Sequence, residues 1–380
     1  MKLLFFTGSR GEWGYIRPIL EICKKKKINF TICANNMHLL DSYGLSIEEI
    51  KKDGFKVQEK IFSALDGYNN FTTTKSLGVL LQSLVDVIQR VNPTWIILAG
   101  DRGETMVAAI ASAYTSTPLA HIQAGELSGL IDGQARHAIG KFANLHFASN
   151  LDAAKRLAKL GEEKFRIKLV GAPQIDDLKS KKYNYDNISN LEKKYNLNLK
   201  KKFILSVFHP PQERIESIKG TLKTLFNFYK KTGVKRVWIS PNNDTGSLIV
   251  KSEFNKHRDE NDFIFDNLSR VEYLTLLKNC DCIIGNSSSG ILESPTFKTP
   301  CINIGYRQHG RLRAKNIIDI KKISEKKLDA AFKKILSKHF RRKISKTSNP
   351  YGDGRSSEKI VNILLNTEIN DKMIFKRLTY

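Results

Sequence analysis

The sequence predicts an α/β protein built from two successive doubly wound domains. Short apolar runs alternate with helix-length amphipathic stretches, the pattern of βαβ units that feed a parallel sheet. The alternation is interrupted once, by a polar stretch rich in Lys, Asn and Tyr at 179–202, and then restarts. The 380 residues suffice for two domains of ordinary size. The expected division is a first domain at 1–178, a linker at 179–202, a second domain at 203–365 and a tail at 366–380.

Taken in order, the strands of the first half are Leu3–Thr7, Phe30–Ala34, Trp95–Ala99, Leu119–Gln123, Leu145–Ala148 and Ile167–Val170. Each is a short, nearly continuous apolar run, as expected of a strand buried on both faces. Helical patterns follow at Glu104–Tyr114 and Asp152–Leu160. Thr73–Arg90 is an amphipathic helix that stops at Asn92-Pro93, because proline offers no N–H and pushes the residue before it out of the helical region. The second half repeats the plan. Its strands are Phe203–Phe208, Arg236–Ser240, Phe263–Phe265, Cys282–Ile284 and Cys301–Ile304, with helices at Arg214–Lys231, Arg270–Asn279 and Ser288–Phe297. In such a fold the ligand meets the loops at the carboxyl ends of the strands.

Composition narrows the class. Lys and Arg number 63 against 38 Asp and Glu, a formal charge of +25. No homeodomain, zinc-finger, RRM or KH pattern accompanies the charge, so nucleic acid is not the expected partner; the positive field suits an anionic, nucleotide-linked substrate. The 24 Gly and 10 Pro are too few for a disordered or fibrous chain. No apolar run has the length of a membrane span. The opening MKLLFFTGSRGEWGY reads as a buried first strand rather than a signal peptide, and the expected location is cytoplasmic. The five cysteines have no metal-like spacing and read as reduced, buried thiols.

The loops after the strands carry the candidate chemistry. Thr7-Gly8-Ser9-Arg10-Gly11-Glu12 opens a helix; its glycines can turn N–H groups toward an anion, and Arg10 adds a cationic fork. The loop is neither a GxGxxG nor a Walker sequence. Gly100-Asp101-Arg102-Gly103-Glu104 places Asp101 at a strand end, facing a ligand or capping the next helix. His121, Gln123, Glu126, Asp132, Arg136 and His137 then crowd a glycine-rich segment, a density suited to acid and base work on a small substrate. In the second half His209 ends a strand. Gly285-Asn286-Ser287-Ser288-Ser289-Gly290 reads as a phosphate nest at a helix N-terminus. Glu293 can accept ribose hydroxyls or merely satisfy the helix dipole. Arg307 and Arg311 are placed to reach the same loops or to form surface ion pairs.

These motifs resemble the hydrolysing nucleotide-sugar 2-epimerases of sialic and legionaminic acid synthesis. The resemblance rests on GDR at 100–102, HIQAGELSG at 121–129 and IDGQARHAIGKFANLHF at 131–147. It rests further on TGSRGEWGYIRPIL at 7–20, FHPPQE at 208–213, SPNNDTGS at 240–247 and GNSSSGILESPTFKTPCINIGYRQHGR at 285–311. It spans nearly the whole chain, and it implies the GT-B architecture with the site in the cleft between two Rossmann-like domains. It also implies a reaction in which a base removes the sugar C2 proton while the nucleoside diphosphate leaves C1, and water then adds to the glycal. That chemistry requires neither a metal nor a redox cofactor.

Carried over by position, Asp101, Asp132 and His209 are the implied catalytic residues, and Arg10, Ser287, Ser288, Glu293, Arg307 and Arg311 the implied nucleotide contacts. Glu126 is added to the catalytic candidates, and Gln123, Arg136, His137 and Asn242 to the substrate contacts, as residues within the resembling segments. The first domain would carry the sugar and catalytic loops and the second the nucleotide. Two positions depart from some members: Gln123 replaces a glutamate, and Gly133 replaces an acidic residue. An amide cannot titrate, so proton transfer passes to Glu126 or Asp132. The non-hydrolysing relatives read EAGLRT and DSGG where this chain reads QAGELSG and NSSSG, which favours the hydrolysing branch. The sugar is expected to be N-acetylglucosamine or a 2,4-diacetamido-2,4,6-trideoxyglucose, on UDP or GDP, with a leaning to the diacetamido sugar. Family members are usually homo-oligomers, here a dimer or tetramer. The alternatives are a GT-B glycosyltransferase and a nucleotide-sugar binding protein without turnover.

Overall fold

The computed structural model describes residues 1–41, 44–65, 69–128, 131–180, 182–199, 202–211, 215–241, 246–377 and 379. The chain forms two compact units, Met1–Asp177 with Tyr351–Tyr380, and Leu178–Pro350. The first unit holds a seven-stranded sheet of β1 (Lys2–Thr7), β2 (Asn29–Asn35), β3 (Glu59–Ile61), β4 (Trp95–Ala99), β5 (Leu119–Ile122), β6 (Leu145–Ala148) and β7 (Ile167–Leu169). Its strands pair in parallel in the order β3-β2-β1-β4-β5-β6-β7. The second unit holds a six-stranded sheet of β8 (Phe203–Val207), β9 (Lys235–Ile239), β10 (Asp262–Phe265), β11 (Cys282–Gly285), β12 (Cys301–Ile304) and β13 (Ile317–Ile320). It is also parallel, in the order β10-β9-β8-β11-β12-β13.

Both sheets are buried on their two faces, which is why their strands lack polar alternation. Along β1, Leu3 and Phe5 point to the layer that contains Trp13, Ile16 and Leu20, while Leu4 and Phe6 point to the layer of Leu80, Leu84 and Val107. In each unit the strand order reverses beside the first strand, between β1 and β4 and between β8 and β11. The loops that leave those strands are therefore the ones a ligand meets.

Four expectations are corrected. The second domain does not run to 365: helix Ser356–Asn366 buries Ile360, Val361 and Leu364 in the same core cluster as Ile16 and Leu20 of the first unit. Behind it, Arg166, fully buried, donates to the carbonyls of Lys372 (2.6 Å), Met373 (2.6 Å) and Phe375 (3.1 Å), so 366–377 is docked rather than a loose tail. Nor is 179–202 a linker in its described part. Tyr185, Leu191 and Leu199 are buried with Phe203, Leu205 and Leu276 in the second unit. Finally, the helix expected over Ser288–Phe297 is two four-residue pieces, Ser289–Leu292 and Ser294–Phe297, interrupted at Glu293 where Pro295 follows.

Candidate functional site

In the first unit the loop after β4 carries Asp101. The N-cap of the following helix Gly103–Tyr114 is Arg102, without a side-chain cap, so Asp101 is not the helix cap. Its carboxylate instead accepts hydrogen bonds from the Ser128 hydroxyl and from Nη2 of Arg136. Arg136 projects from helix Ile131–Phe142 and is only 2% exposed. Its guanidinium also donates from Nη1 to the Gln123 carbonyl at 2.7 Å and from Nη2 to Ser128 Oγ at 3.0 Å. One buried cation thereby fixes the chain ends of β4 and β5 relative to each other. His121, buried on β5, contacts the Gly100 carbonyl through Nε2 at 2.7 Å. Burial pushes its pKa down to about 3, so it is a neutral support for the loop that carries Asp101.

Glu126 is held in a separate network. It is 2% exposed and accepts from Ser149 Oγ and Asn150 Nδ2. Asn150 faces both ways, since its Oδ1 caps helix Leu151–Lys159 through the Ala153 N–H at 2.9 Å. Asp132 lies half-buried in the first turn of Ile131–Phe142, one turn before Arg136. His137 is half-buried, with its pKa lowered by burial and then by the charge of Arg136. Gly133 leaves no room for a side chain, because a Cβ there would stand 2.5 Å from the Ser128 carbonyl oxygen.

The loop after β1 differs from its sequence reading. The Gly8 and Ser9 N–H groups do not await an external anion: both donate to Glu12 Oε2, at 2.5 and 3.1 Å. Ser9 and Glu12 form a capping box at the start of helix Arg10–Lys25, and Thr105 Oγ1 donates to the other Glu12 oxygen at 3.0 Å. Burial, then the charge of Glu104, raises the Glu12 pKa to about 7. Arg10 opens that helix, half-buried. The Ser-x-x-Glu spacing that signals a capping box was the legible clue to Glu12.

In the second unit His209 follows β8 and is clasped to the loop after β11. Its N–H donates to Asn286 Oδ1 at 2.7 Å, and Asn286 Nδ2 returns a bond to its carbonyl at 2.8 Å. The carbonyl of Asn286 in turn accepts from Arg307 Nη1 at 3.3 Å and from Gln308 Nε2 at 3.0 Å. His209, Arg307 and the half-buried Ser287 and Ser288 thus border one loop. Arg311 stands in the next turn, its N–H on the Gln308 carbonyl at 3.4 Å. The helix that begins at Ser289 has four residues, too short for a substantial dipole, so hydroxyls and Arg307 are the loop's main resources for an anion. Glu293, 6% exposed, accepts from Arg270 Nη2 at 2.5 Å and from Ser289 Oγ at 2.6 Å. Asn242 lies outside the described residues. Among those described, no group of three or more His, Cys, Asp or Glu side chains is arranged to hold a metal ion. No described helix is long and apolar enough to cross a membrane.

Residues 20–365 match the family described as UDP-N-acetylglucosamine 2-epimerase. The UDP-N,N'-diacetylbacillosamine 2-epimerase (hydrolyzing) of Legionella pneumophila is 32% identical over 100% of this chain and 99% of its own length. The GDP/UDP-N,N'-diacetylbacillosamine 2-epimerase (hydrolyzing) of Campylobacter jejuni is 36% identical over 90% of this chain and 88% of that one. The solved UDP-GlcNAc 2-epimerase of Neisseria meningitidis bound to UDP-GlcNAc matches with a TM-score of 0.81 at 19% identity, over 97% of this chain and 100% of that one. The Methanocaldococcus jannaschii UDP-GlcNAc 2-epimerase, solved with UDP-GlcNAc and UDP, matches with a TM-score of 0.81 at 20% identity over the same shares. At these identities the two structures establish the fold.

Proposed function

The chain belongs to the UDP-N-acetylglucosamine 2-epimerase family, and on that premise we propose that it is a hydrolysing nucleotide-sugar 2-epimerase. Its substrate is a UDP- or GDP-linked 2-acetamido sugar, and its products are the free manno-configured sugar and the nucleoside diphosphate. The two relatives at 32% and 36% identity carry the name of a diacetylbacillosamine epimerase, which supports the 2,4-diacetamido-2,4,6-trideoxy sugar; a role in nonulosonic acid synthesis rests on the resemblance of the sequence motifs.

The reaction has two halves. A base takes the C2 proton; the C2–H electron pair becomes the C1=C2 bond, and the C1–O pair departs with the diphosphate. Water then supplies OH to C1 and a proton to C2 on the opposite face, and the sugar dissociates. Asp101, Glu126 and Asp132 are the candidates for the proton transfers, with His209 as a further acid or base. For the diphosphate, on which charge develops, the candidates are Arg10 in the first unit and Ser287, Ser288, Arg307 and Arg311 in the second. Asn242, Glu293, Gln123, Arg136 and His137 complete the binding set.

The observation that carries this reading is the Asp101 carboxylate, oriented at a strand end by a buried guanidinium that also holds the Gln123 carbonyl. A group fixed in this way suits proton transfer to a positioned substrate. The test is a proton NMR time course in deuterated water with the UDP- and GDP-linked forms of both sugars. Free manno sugar carrying deuterium at C2 is the expected product. Asp101→Asn is expected to lower turnover by about 10²–10⁴-fold while UDP still binds. Intact epimerised nucleotide sugar, or unchanged turnover in the variant, would overturn the reading.

A further inference from the structure

Gln123 combines two features at the end of β5. Its φ is +60°, and among the described residues it is the one buried non-glycine side chain with a left-handed backbone. That conformation is disfavoured for a residue with a Cβ and persists where its surroundings over-determine it. Here they do. Arg136 holds the Gln123 carbonyl at 2.7 Å, the Ala124 N–H is held by the Phe147 carbonyl at 3.3 Å, and Gly125 continues the turn at φ +73°. The second feature is chemical. Gln123 is 1% exposed, yet its amide nitrogen has no hydrogen-bond partner. A buried donor without an acceptor is unfavourable in the free protein, and a bound ligand can supply the missing atom.

A nucleotide sugar offers charged diphosphate oxygens, hydroxyl and ring oxygens, and the neutral carbonyls of its acetamido groups and its base. Diphosphate oxygens carry negative charge, which calls for a cation rather than a neutral donor, and Arg136 is already engaged by Asp101. A sugar hydroxyl brings a hydrogen that requires an acceptor of its own. An amide carbonyl only accepts, and it is neutral. We propose that the Gln123 side-chain amide is a specificity-determining substrate contact that donates to the carbonyl oxygen of an acetamido group on the sugar. This rests on the epimerase reading and adds to it the group that is recognised.

The experiment compares the wild-type chain with Gln123→Met, which keeps the length and loses the N–H, and Gln123→Glu, which offers only acceptors. Substrates are UDP-linked N-acetylglucosamine and its 2,4-diacetamido-2,4,6-trideoxy counterpart. Turnover, calorimetric binding of each nucleotide sugar and of UDP alone, and the thermal midpoint are measured. Gln123→Met is expected to raise KM about 3–10-fold, the range of one lost hydrogen bond, and Gln123→Glu to raise it further. UDP affinity is expected to stay within about twofold of wild type. The midpoint of Gln123→Met should equal or exceed that of wild type, because the variant removes an unmet donor. A loss confined to the diacetamido sugar locates the carbonyl at C4; an equal loss on both locates it at C2. A parallel loss of UDP affinity would assign the donor to the nucleoside diphosphate and overturn the inference, as would an unchanged KM on both sugars. Should wild type turn over neither sugar, the epimerase reading falls. The binding arm then still decides the inference, since the gap in affinity between nucleotide sugar and UDP must narrow in Gln123→Met.

Discussion

The carboxyl group of Glu12 accepts the Gly8 N–H at 2.5 Å, so the turn that opens the first helix is filled by a side chain of its own. Burial, reinforced by Glu104, holds its pKa near 7 against 4.5 for an ordinary glutamate. The folded state therefore binds this proton more tightly than the unfolded state. Its contribution to stability is present below about pH 4.5 and is lost as the pH rises through about 7. Glu12→Gln cannot titrate, and its carbonyl oxygen can still accept the Gly8 and Ser9 N–H groups. Thermal midpoints measured from pH 5 to 8 should fall less in the variant than in wild type. Parallel profiles would show that Glu12 is ionised throughout.

Arg136 joins three partners, Asp101, Ser128 and the Gln123 carbonyl, while almost wholly buried. Removing one partner of a buried ion pair typically costs about 3–5 kcal/mol, because the remaining group has lost its compensation. Arg136→Met is expected to lose that order of stability in urea unfolding and to lower turnover. Arg136→Lys should recover only part of both, since an ammonium cannot serve three acceptors spread across a planar fork. A lysine variant with wild-type turnover would remove Arg136 from the positioning of Asp101.

Gly285 and Gly305 both have positive φ, +148° and +77°, but their surroundings differ. A Cβ on Gly285 would stand 2.0 Å from the Val207 carbonyl oxygen across the β8–β11 pairing, whereas at Gly305 it meets nothing within 4 Å. Gly305→Ala should cost about 1–2 kcal/mol of backbone strain. Gly285→Ala should cost more, because two strands must separate, and it should also disturb the Asn286–His209 clasp. Equal midpoints in urea for the two variants would contradict this.

Deletion of 366–380 removes the three carbonyls on which the Arg166 guanidinium rests, and it removes Lys376, which donates to Glu162 at 2.7 Å. Loss of about 3 kcal/mol or more is expected from stranding these buried charges. The truncated chain should show a lower urea midpoint or fail to accumulate in soluble form. An unchanged midpoint would mean that the C-terminal segment is dispensable.

The sheets were legible because a strand buried on both faces must be apolar at consecutive positions. The two strands that escaped notice are edges: Glu59–Ile61 has three residues, two of them charged, and Ile317–Ile320 carries Asp319. The density of titratable groups from His121 to His137 marked the loop around Asp101, but nothing local revealed that Arg136 reaches back 35 residues to it. In the turn at Gly8–Gly11 the structure adds what the sequence reading left out. A nest of N–H groups is visible in sequence, while its occupant is decided by which carboxyl group lies nearest, and here that is Glu12.

By itself the sequence determined the α/β class, the alternation of strands and helices in both halves, and a set of candidate residues for the chemistry. All of these follow from local rules of burial, turn geometry and residue type. Tertiary structure alone decided where the chain's last thirty residues belong, that His121 is a neutral support, and that Gln123 keeps an unpaired donor in a left-handed turn. Each of those depends on groups far apart in the chain. Their contact distances and desolvation arise only once the strands have been ordered into a sheet.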